Sequence, residues 1–269
     1  MTAEVPARTV PGMRGTDTEL RDTGRKRDGS RSSLVADVLG NVIAARTAQA
    51  GRAVLDIVDV GAGTGGLAVS MARAGHRVTV VDPSPDALAA ARWRAAETGV
   101  TLTEVQGEAG DLPDLVGAAM ADLVICHNVL EYVDSPTDAL AAIARVLRPG
   151  GTVSVLAANT VAAVLQRALA GKYAEARAML PGTAQTTEVP SGTAAAARRF
   201  TLPELTGLIE GAGLRLGEVH GIRIFSSLLP GAGADPATAE ALRELEEAAA
   251  TCPPLRDIAT RLHVLASRA

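Results

Sequence analysis

The sequence predicts an α/β fold, an open and mostly parallel sheet wound with helices on both faces. Three observations carry that expectation. Short apolar runs alternate with helical patterns between Ala53 and Leu156, the rhythm of strand–helix–strand units that build parallel sheets. A glycine-rich turn, Gly61-Ala62-Gly63-Thr64-Gly65-Gly66, joins the first strand to the next helix. Asp59, Asp82, Glu108 and His127 fall at or just past the carboxyl ends of successive strands, the rim where such sheets bind ligands.

Met1 to Asp28 mixes Pro, Gly, Thr and alternating charges without a hydrophobic period, and is expected to be a disordered leader. From Ser32 the pattern turns helical, with Leu34, Val35, Val38, Leu39, Val42 and Ile43 at helical spacing. The first strand runs from about Ala53 to Val60, and an amphipathic helix from Leu67 to Ala74. The second strand, Arg77 to Val81, ends in Asp82; a helix follows over Pro85 to Thr98, with Asp82 or Ser84 as its cap. Thr101 to Gln106 is the third strand and Leu123 to Cys126 the fourth. A helix over Pro136 to Leu147 then leads through Arg148-Pro149-Gly150-Gly151 into the fifth strand, Thr152 to Leu156.

Beyond it, Asn159 to Met179 reads as helical and Leu180 to Arg199 as a loop. Residues 159–200 are thus expected to be a substrate lid insertion within one domain of residues 29–269. A helix from Leu202 to Ala212, a β segment from Leu214 to about Phe225, an acidic helix over Pro236 to Ala250 and a strand over Arg261 to Ser267 follow. The last two strands should pair at the sheet edge, the final one antiparallel.

At 269 residues the chain can bury a full core. Aromatics make up only 2%, so that core must be built from Ala, Val and Leu. A net charge of -4 argues against bulk electrostatic attraction to nucleic acid and leaves only local basic patches, Arg21 through Arg31 and Arg198-Arg199. Cys126 and Cys252 are isolated, which points to a reduced, cytoplasmic protein with neither a disulfide framework nor a zinc site. No apolar run reaches the roughly 18 residues of a membrane span, so no membrane association is expected.

The glycines allow a tight turn with positive φ and close approach to a ligand. Gly61-x-Gly63-x-x-Gly66 also fits the dinucleotide fingerprint, so the glycines alone leave the ligand open. A carboxylate at Asp59 is costly unless it accepts hydrogen bonds or meets a cation. Asp82 stands where an acid can hold a ribose diol. An NAD-dependent oxidoreductase would need a Tyr-x-x-x-Lys or its equivalent, and neither Lys26 nor Lys172 follows a tyrosine in that way.

The order of glycine loop, Asp82 and the Pro149-Gly150-Gly151 turn resembles the class I S-adenosylmethionine-dependent methyltransferases. Cys126-His127-Asn128-Val129-Leu130-Glu131-Tyr132-Val133, Leu147-Arg148-Pro149-Gly150-Gly151 and Gly221-Ile222-Arg223-Ile224-Phe225 narrow the likeness to the bacterial tRNA 5-carboxymethoxyuridine methyltransferases. The resemblance implies a Rossmann-like, seven-stranded sheet and S-adenosylmethionine as cofactor. It implies cofactor contacts at Arg31, Gly61, Ala62, Asp82, Ala109, Gly110 and His127, to which the residues themselves add Asp59 and Gly63. Tyr132 and Ala158 depart from the family's tryptophan and tyrosine, and the insertion is small and polar rather than basic. The acceptor is expected to be a tRNA carboxylate or a small carboxylic acid or other metabolite.

No catalytic base is assigned. A carboxylic acid is already ionised at neutral pH, so transfer to it needs alignment and exclusion of water. His127 and Arg223 are the positioning candidates. Strand alternation should turn Arg223 away from Ile222 and Ile224, and its planar guanidinium suits a carboxylate. His127 and Glu131 have i, i+4 spacing, but without a third ligand no metal is expected.

Overall fold

A computed structural model describes residues 19–180, 197–228 and 235–269. Its first helix, α1 (Glu19–Ala50), begins well before Ser32. Glu19 to Arg31 carries no apolar stripe, but extending an existing helix costs far less than nucleating one. The segment expected as a leader therefore overlaps α1 from Glu19 to Asp28, and its first 18 residues lie outside the described residues.

Five strands follow in parallel: β1 (Asp56–Val60), β2 (Arg77–Asp82), β3 (Thr103–Gln106), β4 (Ala121–His127) and β5 (Leu147–Ala158). Between them run α2 (Gly66–Arg73), α3 (Pro85–Glu97), α4 (Leu112–Val116) and α5 (Pro136–Val146). A 3₁₀ turn, Ala109–Asp111, precedes α4. After β5 come α6 (Thr160–Leu169), α7 (Tyr173–Ala178), α8 (Leu202–Gly211), β6 (Leu214–Ile222), α9 (Pro236–Ala249), α10 (Pro253–Arg256) and β7 (Arg261–Arg268). α6 and α7 occupy the start of the expected lid, and residues 181–196 of it lie outside the described residues.

The sheet has seven strands in the order β3-β2-β1-β4-β5-β7-β6. β7 is antiparallel to both neighbours, so β6 runs in the same sense as β1 to β5 and forms the edge. Helix starts are written in the sequence as a small polar cap followed by proline, which is preorganised for the first turn. Ser84 Oγ accepts from Ala87 N at 3.3 Å, Ser135 Oγ from Asp138 N at 3.2 Å, and Asp235 Oδ1 from Thr238 N at 3.0 Å. Ser84, not Asp82, is thus the cap of α3. Thr201 and Glu204 form a reciprocal capping box on α8.

Strand alternation divides the core between the two faces. Val58, Val60, Val124, Cys126, Val153 and Val155 pack with Leu140 and Ile143 of α5 and Leu205 and Ile209 of α8. Ile57, Val80, Leu123, Ile125 and Leu156 pack with Val35 and Leu39 of α1, Val69 of α2 and Leu88 of α3.

The amino end of the sheet is tied by ion pairs. The buried Asp122 carboxylate accepts from Arg46 Nη2 at 3.3 Å, Arg148 Nη1 at 3.0 Å, the Arg52 guanidinium, and Asp56 N at 2.8 Å. Burial would raise the Asp56 carboxyl, but hydrogen bonds from Arg77 and Arg148 outweigh it and hold its pKa at about 2. The Pro149-Gly150-Gly151 turn lies at this same end, far from the ligand rim. A Cβ on Gly151 would stand 2.8 Å from the Arg148 carbonyl oxygen and 3.1 Å from that of Ala121, so this turn needs glycine for strand packing.

Candidate functional site

The strand order reverses between β1 and β4, which opens a crevice beyond their carboxyl ends. The loop after β1 enters it. Gly61 has φ +65, donates its N–H to Val81 O at 2.7 Å, and would place a Cβ 2.5 Å from Val129 Cγ2. Gly63 has φ +52, and a Cβ there would meet nothing within 4 Å. One glycine is required by a neighbour; the other faces open space. Ala62, between them, is half-buried.

Both oxygens of Asp82 are held by backbone amides. Gly63 N donates to Oδ2 at 3.2 Å and Ser84 N to Oδ1 at 2.9 Å. Asp59 lies on the same face of the adjacent strand, because Asp59 is in register with Val80. Its carboxyl is 4% exposed and accepts no hydrogen bond from the described residues. Burial, followed by the nearby Asp82 charge, pushes its pKa up to about 7. An unbonded carboxyl in such a place is stabilised by a cation and by little else.

Ala109 is buried and Gly110 exposed on the 3₁₀ turn after β3, and a Cβ on Gly110 would meet nothing within 4 Å. His127, half-buried at the end of β4, has Nε2 2.8 Å from Ser154 Oγ. Asn128 then turns the chain with φ 57. Glu131 does not join His127 in a ligand pair: its Oε1 accepts from Ala158 N at 2.8 Å and from Arg261 Nη1 at 3.0 Å. Among the described residues no group of three His, Cys, Asp or Glu side chains is placed to hold a metal ion. Nor is any helix there long and apolar enough to cross a membrane.

Arg31 lies on α1 one turn before the buried Val35, and its side chain falls outside the described residues. Arg223 departs from expectation. β6 ends at Ile222, and Arg223 has φ 61, a left-handed conformation rather than a strand position. The alternation argument fails because the chain turns there. The cause is Glu246 of α9, whose carboxylate accepts from Ile224 N at 2.7 Å, Phe225 N at 3.0 Å and Ser226 N at 2.8 Å. Three successive amides converging on one buried carboxylate define the turn, and Arg223 still stands at the carboxyl rim, beside Leu34 of α1. Glu246 carried no signal in the sequence, since it sits among the acidic residues of an amphipathic helix.

On the far side of the β4 rim, Arg198 donates to Val133 O at 2.9 Å, and its backbone N–H to Glu131 O at 3.1 Å. Arg198 and Arg199 line an open groove of about 520 Å³ with Phe200, Pro203 and Leu208.

A family model described as Methyltransferase domain matches residues 58–155. The chain is 34% identical over 183 residues to the Ubiquinone biosynthesis O-methyltransferase of Xanthomonas axonopodis pv. citri (strain 306), covering 67% of this chain and 70% of that one. The chain belongs to the class I S-adenosylmethionine-dependent methyltransferases. It is also 28% identical over 223 residues to the tRNA 5-carboxymethoxyuridine methyltransferase of Escherichia coli (strain K12), covering 82% of this chain and 83% of that one. A SAM dependent methyltransferase from Aquifex aeolicus shares the fold with a TM-score of 0.53 at 13% identity, over 95% of this chain and 100% of that one. As a methyltransferase the protein uses S-adenosylmethionine, which resolves the choice that the glycine pattern left open.

Proposed function

We propose that this methyltransferase esterifies a carboxylate, that of 5-carboxymethoxyuridine in tRNA. The observation that carries the reading is the likeness to the Escherichia coli relative over 82% of this chain. At 223 residues the alignment is too long to end at Val155, where the methyltransferase-domain match stops. It must continue into the elements after β5, on the acceptor side. Arg198 and Arg199 beside the groove supply local positive charge on a chain whose net charge is -4.

The cofactor supplies a methyl group on a positively charged sulfur. Asp82 holds the ribose hydroxyls, Ala109 and Gly110 meet the adenine through the backbone, and the Gly61-Ala62-Gly63 loop passes the methionine part. Arg31 pairs with its carboxylate, and Asp59 answers the positive charge nearby. The uncompensated Asp59 carboxyl and the open space over Gly63 and Gly110 support this assignment. His127 and Arg223 then orient the acceptor, whose carboxylate needs no base to become a nucleophile. Their work is alignment and the exclusion of water.

A second reading, O-methylation of a small metabolite, is favoured by the higher identity to the Xanthomonas relative. One assay separates the two. The full chain is incubated with S-adenosylmethionine and either tRNA bearing unmethylated 5-carboxymethoxyuridine or a panel of small phenols and carboxylic acids. The first reading expects methyl ester on the tRNA nucleoside by mass spectrometry; transfer only to small acceptors overturns it.

A further inference from the structure

Four polar side chains lie in a row across the sheet, and the methyl-transfer reading uses only the first. His127 of β4, Leu156 of β5, His263 of β7 and His220 of β6 are register partners, and Ser154 stands two residues from Leu156. All therefore share the face on which α1 packs. Ser154 Oγ is 2.8 Å from Nε2 of His127 and 2.8 Å from Nε2 of His263. Ser154 and His263 are completely buried. The His263 ring stacks on His220 at 5.5 Å and meets His127 edge-on at 5.7 Å. Nδ1 of His263 is buried and has no partner among the described residues.

A hydroxyl has one proton to give, so between two imidazole nitrogens the chain of hydrogen bonds has a direction. Burial keeps His263 neutral, lowering its pKa, and the neighbouring His127 and His220 lower it further. If His263 Nε2 accepted from Ser154, the ring proton would sit on Nδ1 as a buried, unbonded N–H. That orphan is rarer and costlier than an unpaired lone pair. His263 therefore donates through Nε2, and Ser154 donates onward to Nε2 of His127, which leaves Nδ1 to carry that ring's proton.

We propose that Ser154 and His263 are positioning residues that hold His127 as its Nδ1–H tautomer, giving the rim of the methyl-transfer site a fixed hydrogen-bond donor. A donor matches an oxygen of the cofactor or of an anionic acceptor, whereas a lone pair would repel it. The functional half of this proposal rests on His127 facing bound ligand; the tautomer itself does not.

Nitrogen-15 correlation spectra of histidine rings in the full chain read the tautomers directly. Wild type should show Nδ1–H at His127 and Nε2–H at His263. Ser154→Ala and His263→Leu should return His127 to the mixture of free histidine and slow methyl transfer about tenfold. His263→Gln, whose amide can stand where Nε2–H stood, should restore both. Should Ser154→Ala fail to fold, the His263→Leu and His263→Gln pair makes the same comparison. An Nε2–H tautomer at His127 in wild type, or an unchanged one in His263→Leu, overturns the relay. Tautomers that shift while transfer and cofactor affinity stay constant overturn its functional half.

Discussion

The amide of Gly63 donates to the carboxylate of Asp82 at 3.2 Å, tying the loop after β1 to the end of β2. One side chain thus shapes the glycine loop and stands where ribose hydroxyls are expected. Asp82→Ala should weaken S-adenosylmethionine binding by about tenfold to a hundredfold and lower the melting temperature as well. Calorimetry that finds unchanged affinity would remove Asp82 from the cofactor site.

Asp59 makes stability fall with rising pH. The unfolded chain loses this proton near the ordinary value of 3.8, while the folded chain keeps it until about 7. The folded state therefore binds more protons across that window, and its stability declines as pH climbs through it. Asp59→Asn should remove a cost of about 4 kcal/mol at pH 8 and almost none at pH 4. Thermal melts showing the same stabilisation at both pH values would contradict this. Cofactor affinity should rise from pH 5.5 to 8 in wild type and stay flat in the variant.

Arg223→Gly tests strain against function. A left-handed φ of 61 suits glycine, so the variant should gain about 1 kcal/mol of stability. If Arg223 orients the acceptor, methyl transfer should be lost while cofactor affinity is kept. Full activity in Arg223→Gly would end that role.

Asp122 offers the opposite test, remote from the rim. Asp122→Ala leaves Arg46, Arg52 and Arg148 without their shared carboxylate. The expected loss is about 3–5 kcal/mol, as for other broken buried pairs. Cofactor affinity measured well below the melting temperature should be unchanged, and a large change there would mean the two ends of the sheet are coupled.

The parallel half of the fold was legible because strand alternation, glycine turns and cap-proline pairs are all local signals. Asp59, Asp82 and His127 could be placed at the rim for the same reason: each is the last or next-to-last residue of a strand. The turn at Arg223 was not legible, since it is made by a carboxylate on α9 that meets the chain only after folding. The Ser154–His263 contact spans 109 residues of sequence and depends on register between strands of opposite direction. Glu131 shares i, i+4 spacing with His127 but carried no local sign of its role, which is to anchor Ala158 and Arg261.

The position of β7 between β5 and β6 sets an order on the assembly of the nascent chain. β6 leaves the ribosome before the strand it bonds to, so it must wait unpaired, and β5 keeps an open edge until then. Glu246 and Thr260, which fix the Arg223 turn, also emerge after it. The strands that carry the glycine loop, Asp82 and His127 are all made once β5 is complete, ahead of the elements that finish the sheet. The β7–β6 side closes last, and during that interval the bare edge of β5 is where a newly made chain is most exposed to pairing with another.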